Sequence, residues 1–167
     1  MKAEKQIVLM DRARIRRTLK RIVFQIAENT HGKQVILVGL NDRGGVVAGE
    51  MAGYLEKALS QPVDLLTINL EDGNILPIGT QQDLEGKFIV LVDDVIFSGH
   101  TMFSALRRLP EGCDCTVSTA VLVDRGHRTV PILAGFIGME IPTKANEHVE
   151  LDVKNNRAET VYLYKTV

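Results

Sequence analysis

An α/β fold, a mainly parallel sheet with helices on both faces and small strand additions towards the C-terminal end, is the class this sequence predicts. Two observations predict it. Apolar runs such as VILVGL (35–40), FIVLV (88–92) and TAVLV (119–123) place branched aliphatic residues on consecutive positions, as strands buried on both faces require. Between the runs lie segments whose apolar residues recur at helical spacing, and strands alternating with helices build parallel sheets.

QIVLM (6–10) reads as a short strand. Asp11 is placed to cap the following helix, in which Ile15, Leu19, Ile22, Val23 and Ile26 share a face and which His31-Gly32 ends. QVILVGL (34–40) is the next strand, NDRGG its exit loop, and VVAGEMAGYLEKAL (46–59) a helix whose small residues allow close packing. PVDLLTINL (62–70) is a strand, and EDGNILPIGTQQDLEGK (71–87) a connection without clear periodicity. KFIVLV (87–92) is a strand with DDVIFSGH as exit loop, followed by the helix TMFSALRRL (101–109). CTVSTAVLV (115–123) then leaves through DRGHR (124–128), and FIGMEI (136–141), HVELDV (148–153) and TVYLYK (160–165) are short strands that extend or cap the sheet. Repeats, low-complexity tracts and linkers are lacking, so residues 1–167 are expected to form a single domain.

The chain's net charge of -1 gives no global attraction to nucleic acid or membrane, so any such attraction has to come from a local patch. Cys113 and Cys115 lie too close in sequence for an unstrained bridge and read as reduced thiols. With neither a signal peptide nor an apolar membrane span, this predicts a cytoplasmic protein without a membrane partner. His31 and His148 stand apart from other metal-ligand residues, and the Cys-x-Cys lacks the further ligands zinc requires.

Ligands of parallel sheets bind at the carboxyl edge of the strands, where GLNDRGG, DDVIFSGHT and DRGHR converge. The loop after the paired acids carries Ser98, Gly99 and Thr101 and leads into a helix, an arrangement of free amides and hydroxyls that suits a phosphate. No lysine follows the glycine, so the GxxxxGK[ST] loop for triphosphates is absent and a monophosphate is expected. Asp93 and Asp94 cannot bind the phosphate itself. They accept hydrogen bonds from hydroxyls or hold a divalent cation through oxygen, and a sugar phosphate satisfies both halves. The plainer reading makes the acids caps, Arg43 a surface cation, and His127 and Arg128 turn residues.

VLVDDVIFSGHT (90–101) resembles the ribose-phosphate signature of the type I phosphoribosyltransferases. The helix DRARIRRTLKRIVFQI (11–26), the loop VGLNDRGG (38–45) and the stretch AVLVDRGHRTVPILAGFIGMEIPT (120–143) are similar to the branch of that family in which pyrimidine operon attenuation is combined with uracil phosphoribosyltransferase activity. The resemblance implies phosphoribosyl pyrophosphate as donor, uracil or UMP as pyrimidine partner, and Mg²⁺ as cofactor. Asp93 and Asp94 would be the catalytic acids, on the ribose hydroxyls and the metal. Val95, Ile96, Phe97, Ser98, Gly99, His100 and Thr101 would surround the 5-phosphate, and Asn41, Asp42, Arg43 and Gly44 the pyrophosphate. Asp124, Arg125, Gly126, His127 and Arg128 would lie on the base or RNA side. It also implies a homodimer or higher homo-oligomer.

Two features keep a second function class open. The family it resembles carries a long mobile loop before its signature strand, usually with a basic residue, whereas here the connection is only residues 71–87, Glu71 to Gly86 contains no Arg, Lys or Tyr, and Asn41 stands where a lysine is common. The first helix bears Arg14, Arg17, Lys20 and Arg21 opposite its apolar stripe, a solvated basic face or an RNA contact. The alternative to an efficient enzyme is therefore a catalytically weak, nucleotide-sensing RNA-binding regulator.

Overall fold

The computed structural model describes residues 4–71 and 77–166. Strand β1 (Glu4–Met10) leads into helix α1 (Arg12–Asn29), β2 (Val35–Leu40), α2 (Asn41–Leu59) and β3 (Asp64–Ile68). After the short α3 (Gln81–Leu84) come β4 (Phe88–Ile96), α4 (His100–Leu106), β5 (Thr116–Asp124), β6 (Phe136–Glu140), β7 (Glu147–Lys154) and β8 (Arg157–Thr166).

Among the described residues five strands form a parallel sheet in the order β3-β2-β4-β5-β6. Every residue of β2 is buried, which is why its sequence reads as an unbroken apolar run. On one face Leu37, Val90, Val92 and Leu122 pack against the stripe Ile15, Leu19, Ile22, Val23 and Ile26 of α1 and against Val47, Met51 and Leu55 of α2. On the other, Val38, Ile89, Leu91 and Val121 pack against Leu84 of α3 and Met102 and Ala105 of α4. Asp11 caps α1 as its position predicts, accepting from the Arg14 amide at 2.7 Å.

The last strands divide. β6 extends the parallel sheet, while β7 and β8 pair antiparallel with each other and with β1 in a separate three-stranded sheet. β7 alternates, with Glu147, Val149 and Leu151 buried between more exposed neighbours, the pattern of a strand covered on one face. Its Val149 and Leu151 join the α1 side of the core.

Among the boundaries that differ from expectation, three concern elements that line the site. NDRGG is no loop but the first turn of α2, because Gly44 and Gly45 let the helix begin directly against the sheet. β4 continues four residues past Val92, so Asp93 and Asp94 belong to the strand, with Asp93 in register with Val121 of β5. α4 ends at Leu106, before Arg107 to Leu109. In the 71–87 connection, Thr80 and Asp83 form a reciprocal capping box that starts α3. Residues 72–76 of that connection lie outside the described residues.

Candidate active site at the carboxyl edge of the sheet

The site begins with glycines. A Cβ on Gly39 would lie 2.5 Å from the Gly45 Cα, and one on Gly44 would lie 2.7 Å from the Val92 carbonyl oxygen. Both approaches are to main chain, so only glycine permits them. They seat the first turn of α2 on β2 and β4 and bring Asn41, Asp42 and Arg43 beside the acids. Asn41 takes a left-handed conformation (φ 55°), and its side-chain oxygen accepts the Leu70 amide at 2.8 Å, tying the exits of β2 and β3 together.

The resulting open cleft has a volume of about 430 Å³. It is lined by Asn41, Asp42 and Arg43 from α2, Asn69 and Glu71 from the β3 exit, Asp93 and Asp94 from β4, and Thr101 from α4. Asn69 and Glu71 were not predicted, although β3 is parallel to β2 and its exit falls on the same edge. Asp93 is buried and Asp94 partly exposed. Burial, then the neighbouring Asp94 charge, pushes the Asp93 carboxyl well above its ordinary value. The Asp94 amide donates to its Oδ1 at 2.9 Å and opposes that shift.

Beyond β4 the chain turns at Gly99 (φ 89°) into α4. The Ser98 carbonyl accepts the Thr129 and Val130 amides at 3.0 and 3.1 Å, and His100 Nε2 lies 3.0 Å from the Thr129 hydroxyl. The turn of 97–100 is therefore held by the loop after β5. Arg128 is the main tie: it makes a bidentate pair with Asp124 (2.9 and 2.7 Å) and donates to the Phe97 and Ile132 carbonyls. Burial acts to raise the Asp124 carboxyl, but the Arg128 and Gly126 hydrogen bonds outweigh it and hold the carboxyl below its usual range.

The remaining members of DRGHR are also engaged internally. Arg125 donates to the Thr143 hydroxyl at 3.0 Å and the Glu147 carbonyl at 2.6 Å, and its guanidinium stacks 4.2 Å from the Phe97 ring centroid. His127 reaches the Thr143 carbonyl at 2.6 Å, and its ring lies 5.8 Å from that of Phe97. Phe97 is thus a platform between two loops, and Val95 and Ile96 are strand residues that position it.

The basic residues of α1 diverge. Arg21 donates to the Ile137 and Gly138 carbonyls on β6, Arg14 to the Leu9 carbonyl, and Lys20 lies over the Tyr54 ring of α2. Arg17 is exposed. Among the described residues no cluster of three or more His, Cys, Asp or Glu side chains is placed to hold a metal on its own, and no helix is long and apolar enough to cross a membrane.

The profile of the phosphoribosyl transferase domain family matches residues 9–155, with both the acid pair and the turn at Gly99 inside the match. The chain belongs to the phosphoribosyltransferase family. Within it, this phosphoribosyltransferase is 37% identical to the bifunctional protein PyrR of Leuconostoc mesenteroides, over 87% of this chain and 90% of that protein. It is 38% identical to the PyrR of Listeria welshimeri, with 89% and 90% covered, and so belongs with the PyrR proteins. Solved structures give the same fold: hypoxanthine phosphoribosyltransferase of Trypanosoma cruzi superposes with a TM-score of 0.71 at 18% identity, covering 96% and 97% of the two chains. That of Staphylococcus aureus gives 0.67 at 19% identity, covering 84% and 79%.

Proposed function

We propose that this phosphoribosyltransferase, acting as one folded unit of residues 1–167, transfers ribose 5-phosphate from phosphoribosyl pyrophosphate to uracil, giving UMP and pyrophosphate. The observation that carries this reading is the continuity of β4 into the turn at Gly99. One end of the segment presents two carboxylates to hydroxyls, and the other presents the Ser98 and Thr101 hydroxyls with nearby main-chain amides to a phosphate. In this reading Asp93 and Asp94 orient the ribose diol, residues 98–101 hold the 5-phosphate, and Asn41, Asp42 and Arg43 face the pyrophosphate. The base lies towards Phe97 and the Arg125–His127 stretch.

The charge of the cleft supports Mg²⁺ as partner of the donor. Its described lining has the acids Asp42, Glu71 and Asp94, beside an Asp93 that keeps its proton in the ligand-free protein, against the single cation Arg43, and this balance repels a polyanion entering alone. The donor set is oxygen only, which suits Mg²⁺, an ion usually held by one or two carboxylates together with substrate phosphates and water. When bound, the ion neutralises charge on the departing pyrophosphate. Pyrophosphate release should be measured with uracil, donor and Mg²⁺, and with hypoxanthine replacing uracil. Turnover with hypoxanthine alone would overturn the pyrimidine assignment.

A second reading, a weakly catalytic regulator that senses nucleotide and binds RNA, is favoured by one contact. Arg43 is paired at 2.5 Å with Glu150 of β7, which draws the cleft's one described cation towards the small sheet. UMP binding without turnover would select it. For RNA, Arg17 and Lys20 are the residues to reverse, because Arg21 also braces β6. An RNA mobility shift unchanged in the Arg17→Glu, Lys20→Glu variant would remove α1 from the contact.

A further inference from the structure

We propose that the protein has a second anion site, separate from the cleft, which binds a phosphate monoester: inorganic phosphate or the phosphate end of a nucleoside monophosphate. It lies where the first turns of α1, the middle of α2 and the β7–β8 turn meet around an open cavity of about 530 Å³. Among the described residues this cavity shares no lining residue with the cleft.

Arg12, Arg16 and Arg157 line it, with Glu50 as the one carboxylate among the described residues of its wall. Glu50 is already satisfied. It accepts both hydrogen bonds of Arg12 Nη1, at 2.9 and 2.7 Å, and the Ala158 amide at 2.8 Å. Arg12 in turn donates to the Ala158 carbonyl at 2.8 Å, so this pair pins the start of β8 to the two helices. Arg16 and Arg157 have no side-chain hydrogen bond or ion pair among the described residues. Two unpaired guanidinium groups therefore border one hollow, and such planar forks match phosphate oxygens in pairs.

The floor leaves room for more than a phosphate. Gly49 is within α2, where glycine weakens a helix relative to alanine, and no neighbour requires it there. An added Cβ would meet only Leu65 Cδ2, at an ordinary 3.9 Å. At the other end the wall includes Tyr54, an aromatic side chain whose ring also carries Lys20 at 5.4 Å from its centroid.

Titration of the isotope-labelled full chain with inorganic phosphate, and separately with UMP, tests this. Amides of residues 45–54 and 156–158 are expected to shift and saturate independently of those at 98–101. Arg16→Gln with Arg157→Gln is expected to weaken the first response about tenfold or more, leaving the response at 98–101 and the turnover rate unchanged. Gly49→Leu, which fills the hollow without removing charge, is expected to block UMP there in the same way. No shift at 45–54 with millimolar phosphate, or an unaltered shift in the double arginine variant, would overturn the proposal. A response to a 5′-phosphorylated RNA but to neither phosphate nor UMP would also overturn it and assign the surface to RNA.

Discussion

The two adjacent aspartates differ in environment. Asp93 is buried and its acidity suppressed, so the folded protein keeps a proton that the unfolded chain releases above its ordinary value of 3.8. The sign follows: the folded state binds more protons, and the stability of the ligand-free protein falls as pH rises above that value. Asp93→Asn is expected to flatten the decline in chemical-denaturation midpoint between pH 5 and 8 relative to the parent, while lowering pyrophosphate release by about two orders of magnitude or more. Arg43 gives a second prediction. Its pair with Glu150 is half exposed on both sides and contributes at most about 1 kcal/mol to stability. Glu150→Gln is therefore expected to leave the melting temperature nearly unchanged while lowering KM for phosphoribosyl pyrophosphate; a raised KM would mean that Glu150 presents Arg43 to the donor. The acid pair and the glycine turn were legible because chemistry demands those residue types next to each other. Glu150 was not, since its partner lies 107 positions away and neither residue carries a local signal.

At the scale of elements, the strand periods and the α1 stripe were legible because burial on two faces, or on one, writes itself into hydropathy. The status of NDRGG was not. Glycine pairs usually mark a loop, and here they mark a helix packed on bare main chain, a distinction set by β4, whose sequence lies some 45 residues on. Gly44→Ala is expected to destabilise the protein by about 1–3 kcal/mol and to weaken donor binding as well, because its Cβ collides with the Val92 carbonyl and the turn has to lift. The loop after β5 gives a contrasting prediction. Arg128→Ala removes ties to Asp124 and Phe97 and leaves a partly buried carboxylate unpaired, so a loss of about 2–4 kcal/mol in urea unfolding is expected. A loss below 0.5 kcal/mol would mean that the clamp is dispensable.

For the molecule as a whole, the parallel sheet supplies the edge and the small antiparallel sheet supplies Glu150 and the Glu147 carbonyl that holds Arg125. That the C-terminal strands split between two sheets was not legible, because a short alternating strand records which face is covered and not which neighbour it joins. The acidic cleft makes a prediction at this scale. Phosphoribosyl pyrophosphate is expected to raise the melting temperature with Mg²⁺ and to have little effect in its absence, as measured by differential scanning fluorimetry. An equal shift without the metal would contradict the reading of the cleft's charge. The seating of α2 on the sheet through Gly39, Gly44 and Gly45 has one more consequence. Where helix meets sheet, the floor of the site is main chain against main chain. Scanning by side-chain truncation would pass over it in silence, since there is nothing to truncate, and its importance would surface only when atoms are added.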